Sequence, residues 1–84
     1  MGQLMARGTI RYWAAARAAA GTSEEPCEGA TLGDVLDAAA ATRGPEFARV
    51  ISHSSLLVDG VRARRETPLD DAAVIEVLPP FAGG

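Results

Sequence analysis

The chain has 84 residues, which is enough for one small domain with a modest core. So small a core disfavours a self-sufficient enzyme, and a net charge of −3 disfavours nucleic-acid binding, because phosphate recognition needs a basic surface. No apolar run approaches the length needed to cross a membrane, and the first residues lack the charged and apolar regions of a secretory signal. We therefore expect a cytoplasmic protein that does not bind membranes.

The first half of the chain begins with two strands separated by a short helix. Apolar and polar residues alternate over Arg7–Trp13, which predicts a half-buried strand. The alanine-rich segment 14–20 predicts a short helical turn that ends at Gly21. Residues 22–29 then form a polar strand. Pro26 predicts an edge position for that strand, because proline has no N–H to donate to a neighbour.

Two helices follow. Thr31 is expected to cap the N-terminus of the main helix, with Asp34 in its first turn. The helix carries an apolar stripe at spacings of three and four residues, made of Leu32, Val35, Leu36 and Ala39. Gly44 ends the helix, and Pro45 begins a second, shorter one. The apolar side of this shorter helix consists of Phe47, Val50 and Ile51.

The second half ends in three strands. The run LLVDGVRARR is typical of a hairpin, with Asp59 and Gly60 in its two-residue turn. The segment TPLDD predicts a turn, and Val74–Leu78 is the last strand, which Pro79 and Pro80 stop. The element order is therefore β-(α)-β-α-α-β-β-β. It predicts an α+β chain, a small mixed sheet with one main helix packed across one face.

Alternation in the first and last strands divides this sheet into two faces. The core under the main helix is expected to contain Ile10, Tyr12, Ile75 and Val77. Trp13 and Leu78 then lie on the opposite face, with Arg62 or Arg64 nearby. Large apolar groups beside polar ones are typical of interfaces, so we predict a partner interface at Trp13, Arg62 and Leu78. The alternative is that Trp13 ends its strand and folds inward.

The usual catalytic constellations are missing from the sequence. His53 is the only histidine and is expected to be an exposed loop residue, so no metal site is predicted. Cys27 is the only cysteine, and the acidic residues near it, Glu25 and Glu28, would raise its pKa and make it a poor nucleophile. We expect Glu24 and Glu25 to be a solvated strand face. All eight basic residues are arginine, so no side chain can accept an isopeptide bond.

The last six residues, PPFAGG, are the exception. We divide the chain into a flexible leader (residues 1–6), a domain (7–78) and an extended tail (79–84). The two prolines stiffen the exit from the last strand and are expected to direct the chain away from the sheet. The tail can span about 20 Å at roughly 3.3 Å per residue. Its glycines can pass through a channel only as wide as the backbone. The reactive group that it presents is the α-carboxylate of Gly84.

Three segments, RYWAAARAAAG, TLGDVLDAAAA and LPPFAGG, resemble the small subunit of molybdopterin synthase (MoaD-type) in the ThiS/MoaD sulfur-carrier family. The resemblance runs in order over about residues 7–84 and implies a β-grasp, ubiquitin-like fold. One segment departs from the family pattern. Where the family often has an Asp-Gly-Asp-like turn before the last strand, this chain has Asp70-Asp71-Ala72-Ala73.

The resemblance also implies a function. An E1-like adenylyltransferase (MoeB-type) would use ATP to adenylate Gly84, and a sulfur donor protein would convert the product to a thiocarboxylate. The tail would then thread into the large subunit of molybdopterin synthase (MoaE-type) through Pro79, Pro80, Phe81, Ala82 and Gly83. The two subunits would form a heterotetramer. This chain would be the non-catalytic, sulfur-donating subunit, with no bound cofactor and with the active site on the large subunit.

Three other hypotheses stay open at this point. The chain could carry sulfur for another product, such as thiamine thiazole, cysteine or thiolated tRNA. It could be a ubiquitin-like modifier joined to target lysines through Gly84. It could also be a plain β-grasp interaction module with an inert tail. Deletion of the two terminal glycines would abolish function in every case except the last.

Overall fold

The computed structural model describes residues 5–80. Its elements are β1 (Ala6–Tyr12), α1 (Ala14–Ala20), β2 (Glu24–Gly29), α2 (Leu32–Arg43), α3 (Pro45–Ser52), β3 (Ser55–Val58), β4 (Val61–Arg62) and β5 (Val74–Leu78). This order is the one that the sequence predicts. β1 begins one residue earlier than expected, at Ala6. Most of the expected leader (1–4) and most of the expected tail (81–84) lie outside the described residues.

The five strands form one mixed sheet in the order β2-β1-β5-β3-β4. The last strand, β5, therefore lies in the middle, parallel to β1 and antiparallel to β3. Ile10 pairs with Ile75 on one side, and Val58 pairs with Ile75 on the other. Because both edges of β5 are hydrogen-bonded to neighbours, its position is fixed along its whole length.

Pro26 occupies the edge strand β2, as predicted, and pairs with Thr9. Tyr12 donates its backbone N–H to the carbonyl oxygen of Ser23. Antiparallel pairing alternates, so the backbone groups of every second residue of β2 face outward, those of Glu24, Pro26 and Glu28. A missing N–H flanked by two carboxylates disfavours the addition of a further strand at this edge.

All three helices contribute to one core on one face of the sheet. Thr31 and Asp34 form the expected capping box of α2, and Pro45 is at the start of α3. The predicted sheet residues are confirmed as core: Ile10, Tyr12, Ile75 and Val77 are at most 1% exposed. The helices add Ala16, Leu32, Val35, Leu36, Phe47 and Ile51. Within residues 5–80, no helix has the length and hydropathy to cross a membrane.

The sequence predicts that the first strand ends at Trp13. In the structure it ends one residue earlier, at Tyr12. Trp13 keeps an extended backbone, with φ −116° and ψ 149°, and its N–H still donates to the carbonyl oxygen of Val77. Ala14 then turns into the left-handed region, with φ 49°, and α1 begins there. This change of backbone direction ends the strand before the alternating side-chain pattern does.

The turn that departs from the family pattern contains a strained alanine. Ala72 has φ 67°, a left-handed conformation that glycine adopts freely and alanine does not. Its N–H nevertheless donates to the carbonyl oxygen of Arg7, at 2.6 Å, and Arg7 donates its own N–H to the Asp71 carboxylate. The turn therefore keeps a glycine-type geometry without glycine and joins the start of β5 to β1.

Candidate functional site: the tail root and the open face of the sheet

The tail begins at the end of β5, the central strand. Leu78 pairs with Ser55 of β3, and the Val77 carbonyl oxygen accepts from Trp13. Strands on both sides therefore hold the point from which the tail departs. Proline follows at once, so the ladder of hydrogen bonds cannot continue.

The two prolines differ in their surroundings. Pro79 is buried, and Pro80 is exposed. Both line a cleft of about 210 Å³ together with Ala15 of α1 and Val50 of α3. Pro79 is buried beside α1 and α3, and Pro80 reaches the surface; that the prolines direct the chain away from the sheet stays a prediction. We call Pro79, Pro80 and the ends of β1 and β5 beside them the tail root. Phe81, Ala82, Gly83 and Gly84 lie outside the described residues.

Trp13 lies beside the tail root, on the face of the sheet that no helix covers. It is 38% exposed, and its indole N–H donates to the Glu76 carboxylate at 3.3 Å. The guanidinium of Arg11 lies 5.4 Å from the centre of the indole ring. Trp13 therefore does not fold into the core. Its contacts with two side chains of the sheet hold the indole on the open face.

The open face carries a row of side chains that crosses all five strands. Cross-strand pairing places them in the order Glu24, Arg11, Glu76, Leu57 and Arg62. Arg11 forms an ion pair with Glu24 at 3.6 Å. Within residues 5–80, Arg62 forms no ion pair, although it is exposed. Leu57 and Leu78 are half-buried, so the face offers apolar groups beside charged ones. The structure thus places Trp13, Arg62 and Leu78 on one open face, and their role as an interface stays a prediction.

The other face contains a polar network that the sequence did not reveal. The hydroxyl of Tyr12 donates to the Glu25 carboxylate at 2.6 Å, and Arg43 donates to the same carboxylate at 2.7 Å. The sequence predicts that Glu25 belongs to a solvated strand face. This prediction is wrong, because its carboxylate accepts hydrogen bonds from Tyr12 and from Arg43 of α2. Arg43 also donates to the carbonyl oxygen of Ala20 and lies 5.3 Å from the ring of Phe47. One guanidinium thus joins α1, α2, α3 and β2.

This network shifts the pKa values of all three side chains, and the hydrogen bond to Glu25 is the main cause of a raised pKa of Arg43. Burial raises the pKa of Tyr12 well above its usual range, and the hydrogen bond to Glu25 raises it further. Burial also raises the pKa of Glu25, but hydrogen bonds from Arg43 and Tyr12 and the charge of Arg43 together outweigh this, so the net pKa is lowered. At neutral pH the pair is a phenol and a carboxylate. The hydrogen bond between them is charge-assisted, which makes it stronger than a neutral one.

Two residues with potentially reactive side chains, Cys27 and His53, lie away from the open face of the sheet. Cys27 is half-buried, and burial is the main cause of a raised pKa of its thiol. A thiol with a raised pKa is a weak nucleophile at neutral pH. His53 is exposed, and its Nδ1 lies 2.9 Å from the carbonyl oxygen of Arg49. Within residues 5–80 no group of three or more potential ligands could hold a metal ion.

Comparison with known proteins gives the family and the fold that this chain resembles. A model of the ThiS family matches residues 10–84. Among solved structures, the small archaeal modifier protein 1 from Methanosarcina acetivorans is 30% identical, with a TM-score of 0.85 over 98% of this chain and 100% of that one. A search of curated proteins finds no match.

Two further structures share the fold at lower identity. A protein described as subunit 1 of a molybdopterin converting factor from Pyrococcus furiosus is 24% identical, with a TM-score of 0.78 over 90% of this chain and 99% of that one. A complex of subunits 1 and 2 of the molybdopterin-converting factor from Helicobacter pylori contains a chain that is 19% identical, with a TM-score of 0.67 over 93% of this chain and 99% of that one. Both support the β-grasp, ubiquitin-like fold of this chain.

Proposed function

This chain belongs to the ThiS family, and from that premise we propose that it is the sulfur-carrying small subunit of a molybdopterin synthase. The observation that carries the proposal is the tail root. The central strand β5 ends at Leu78, and Pro79 and Pro80 follow it beside an open, partly apolar face. This geometry fixes Pro79 and Pro80, the base of the tail, beside the face that we assign to a partner.

The chemistry belongs to the α-carboxylate of Gly84. A carboxylate is a poor electrophile, so an E1-like partner first transfers AMP from ATP to one carboxylate oxygen and releases pyrophosphate. A sulfur donor protein then supplies sulfur at the oxidation level of sulfide, which attacks the acyl carbon, displaces AMP and leaves a thiocarboxylate. The bases and cations for these steps are supplied by the partners, since this chain contributes only the carboxylate and the surfaces that position it.

The large subunit is the second partner in this proposal. The Helicobacter pylori structure is a complex of subunits 1 and 2, which supports a complex of the same kind here. We assign the docking surface to Trp13, Arg62 and Leu78 on the open face, with Phe81, Ala82 and Gly83 threading into the large subunit. A heterotetramer, an ATP-using activating partner and a cytoplasmic location complete the proposal.

A reconstituted reaction tests the function. The chain would be prepared with a C-terminal thiocarboxylate, mixed with the large-subunit homologue from the same organism and given the pterin precursor. We expect dithiolene product, detected after oxidation to a fluorescent pterin, and none from the chain with an ordinary carboxylate. A matched variant, Trp13→Ala, should lower the rate, whereas Ala41→Ser on the exposed side of α2 should not. Absence of product from the thiocarboxylate form, with a large subunit active on another carrier, would refute the molybdopterin role.

A second candidate is a protein modifier. The observation that favours it is the 30% identity to the small archaeal modifier protein 1. In that case the acyl group of Gly84 would pass to a target lysine and leave an isopeptide bond. Tryptic peptides from host cells that express a tagged chain would distinguish the two, because a branch made of residues 66–84, which follow the last arginine, would appear on lysine only for a modifier.

A further inference from the structure

The tail root has a second side, which faces the helices. There Pro79 and Pro80 line a cleft of about 210 Å³ with Ala15, Val50 and His53. Ala15 is exposed at the start of α1, and Val50 is half-buried near the end of α3. The cleft therefore opens directly beside the point where the described chain leaves the domain.

The walls of this cleft are mostly apolar. Ala15, Val50 and the two prolines contribute hydrocarbon surface. The one guanidinium at the rim, that of Arg49, already has a partner, since it donates to the Glu46 carboxylate at 3.1 Å. The cleft thus favours an apolar occupant, because it offers little unpaired charge to recognise.

The length of the tail determines how near a partner approaches. Four residues follow Pro80 in the sequence and span about 13 Å when extended. A partner that reacts with Gly84 inside a channel must therefore surround the chain from Pro80 onward. The mouth of that channel meets the domain on both sides of the tail root. One side is the open face with Trp13 and Leu78, and the other is the cleft.

We propose that the cleft is a second docking site, filled by one apolar side chain from the mouth of the channel that receives the tail. This inference rests on the proposed function and adds to it a contact on the helix side of the tail. Contact on both sides would restrict the direction of the tail as it enters more than contact on one side.

Filling the cleft tests the proposal. Ala15→Phe places a ring in the cleft without touching the buried core, and Ala41→Phe is a matched control on the exposed surface of α2. Binding to the large-subunit homologue from the same organism would be measured by calorimetry, after thermal melts confirm that both variants fold. We expect Ala15→Phe to weaken binding by about tenfold or more and Ala41→Phe to leave it unchanged.

Three results would overturn the inference, and only one of them is also a failure of the proposed function. If the wild-type chain binds and both variants bind as well as it does, the cleft is not a docking site, although the function stands. If the wild-type chain does not bind at all, the proposed function fails and the cleft proposal fails with it. A competing occupant is the chain's own Phe81. Phe81→Ala should leave the methyl resonances of Ala15 and Val50 unchanged in the free chain, and a large shift would assign the cleft to Phe81.

Discussion

The hydroxyl of Tyr12 and the carboxylate of Glu25 are 2.6 Å apart, on neighbouring strands beneath the C-terminal end of α2. Arg43 completes the arrangement by donating to the second oxygen of Glu25. The three side chains couple the edge strand to the helices, and β1 continues from Tyr12 directly into Trp13. The network therefore stabilises the frame on which the open face and the tail root are built.

The first prediction concerns pH. Glu25 has a lowered pKa in the folded state, so its contribution to stability is present above its unfolded pKa, near 4.3, and is lost as pH falls through the folded pKa. Tyr12 has a raised pKa, so its contribution is present below its unfolded pKa, near 10, and is lost as pH rises above that value. The pKa of Cys27 is also raised, so its contribution begins to be lost above its unfolded pKa, near 8.5. Urea midpoints measured between pH 3 and 11 should therefore show a plateau from about pH 5 to pH 8.

Removal of the carboxylate gives the second prediction. Glu25→Gln should lower the free energy of unfolding by about 1–2 kcal/mol at pH 7, because a charge-assisted pair is lost at a partly solvated position. It should also weaken the fall in stability below pH 5. Glu24→Gln is the matched control, since that neighbour is exposed and pairs with Arg11 at 3.6 Å. Equal effects of the two variants would contradict the network's role.

The third prediction concerns the turn before β5. Ala72→Gly should raise the free energy of unfolding by about 0.5–1 kcal/mol, because glycine adopts a positive φ without the Cβ contact that strains alanine. Thermal melts provide the measurement. Ala41→Gly in α2 should instead lower stability by about 1 kcal/mol. A loss of stability in Ala72→Gly would show that the turn is not strained.

A fourth prediction concerns the close approach of β1 to the same turn. A Cβ on Gly8 would collide with the backbone carbonyl oxygen of Ala73, which is buried. Gly8→Ala should therefore lower the free energy of unfolding by about 1–3 kcal/mol, because backbone must shift to make room. Gly21→Ala is the control for the loss of glycine's conformational freedom. Gly21 has φ 78°, but an added Cβ there would meet no neighbouring atom. Chemical denaturation measures the effect. Wild-type stability of the Gly8→Ala chain would be evidence against the close contact.

The fifth prediction concerns the open face and rests on the proposed function. Arg62→Gln should weaken binding to the large-subunit homologue by about threefold to tenfold at low salt and less at high salt. Arg65→Gln is the control, because Arg65 is also exposed but pairs with Asp37 of α2 at 2.6 Å. Surface plasmon resonance at two salt concentrations would measure both. An identical response of the two variants would remove Arg62 from the interface.

Much of the fold can be predicted because local signals agree with one another. The capping box at Thr31, the proline at the start of α3 and the turn at Asp59 and Gly60 each depend on residues close in sequence. The edge position of β2 also follows from a single residue, Pro26. Such features need no knowledge of which strands become neighbours.

Other features depend on contacts between distant residues. The partnership of Glu25 with Arg43 joins positions 18 residues apart, and nothing in the local pattern of β2 indicates it. The burial of Pro79 likewise depends on where α1 begins and α3 ends. The left-handed Ala72 was missed because alanine gives no sequence signal for a positive φ. In the candidate site, parity predicts the face on which Trp13 lies, but not its contact with Glu76.

The most direct test of the central claim is the intact mass of the chain after incubation with ATP, a sulfide donor and an E1-like adenylyltransferase from the same organism. The account predicts a gain equal to the replacement of one oxygen by sulfur, located on Gly84 by fragmentation and absent from a chain that lacks Gly84. An unchanged mass, with the adenylyltransferase shown to be active on another carrier, would contradict the claim that this chain carries sulfur.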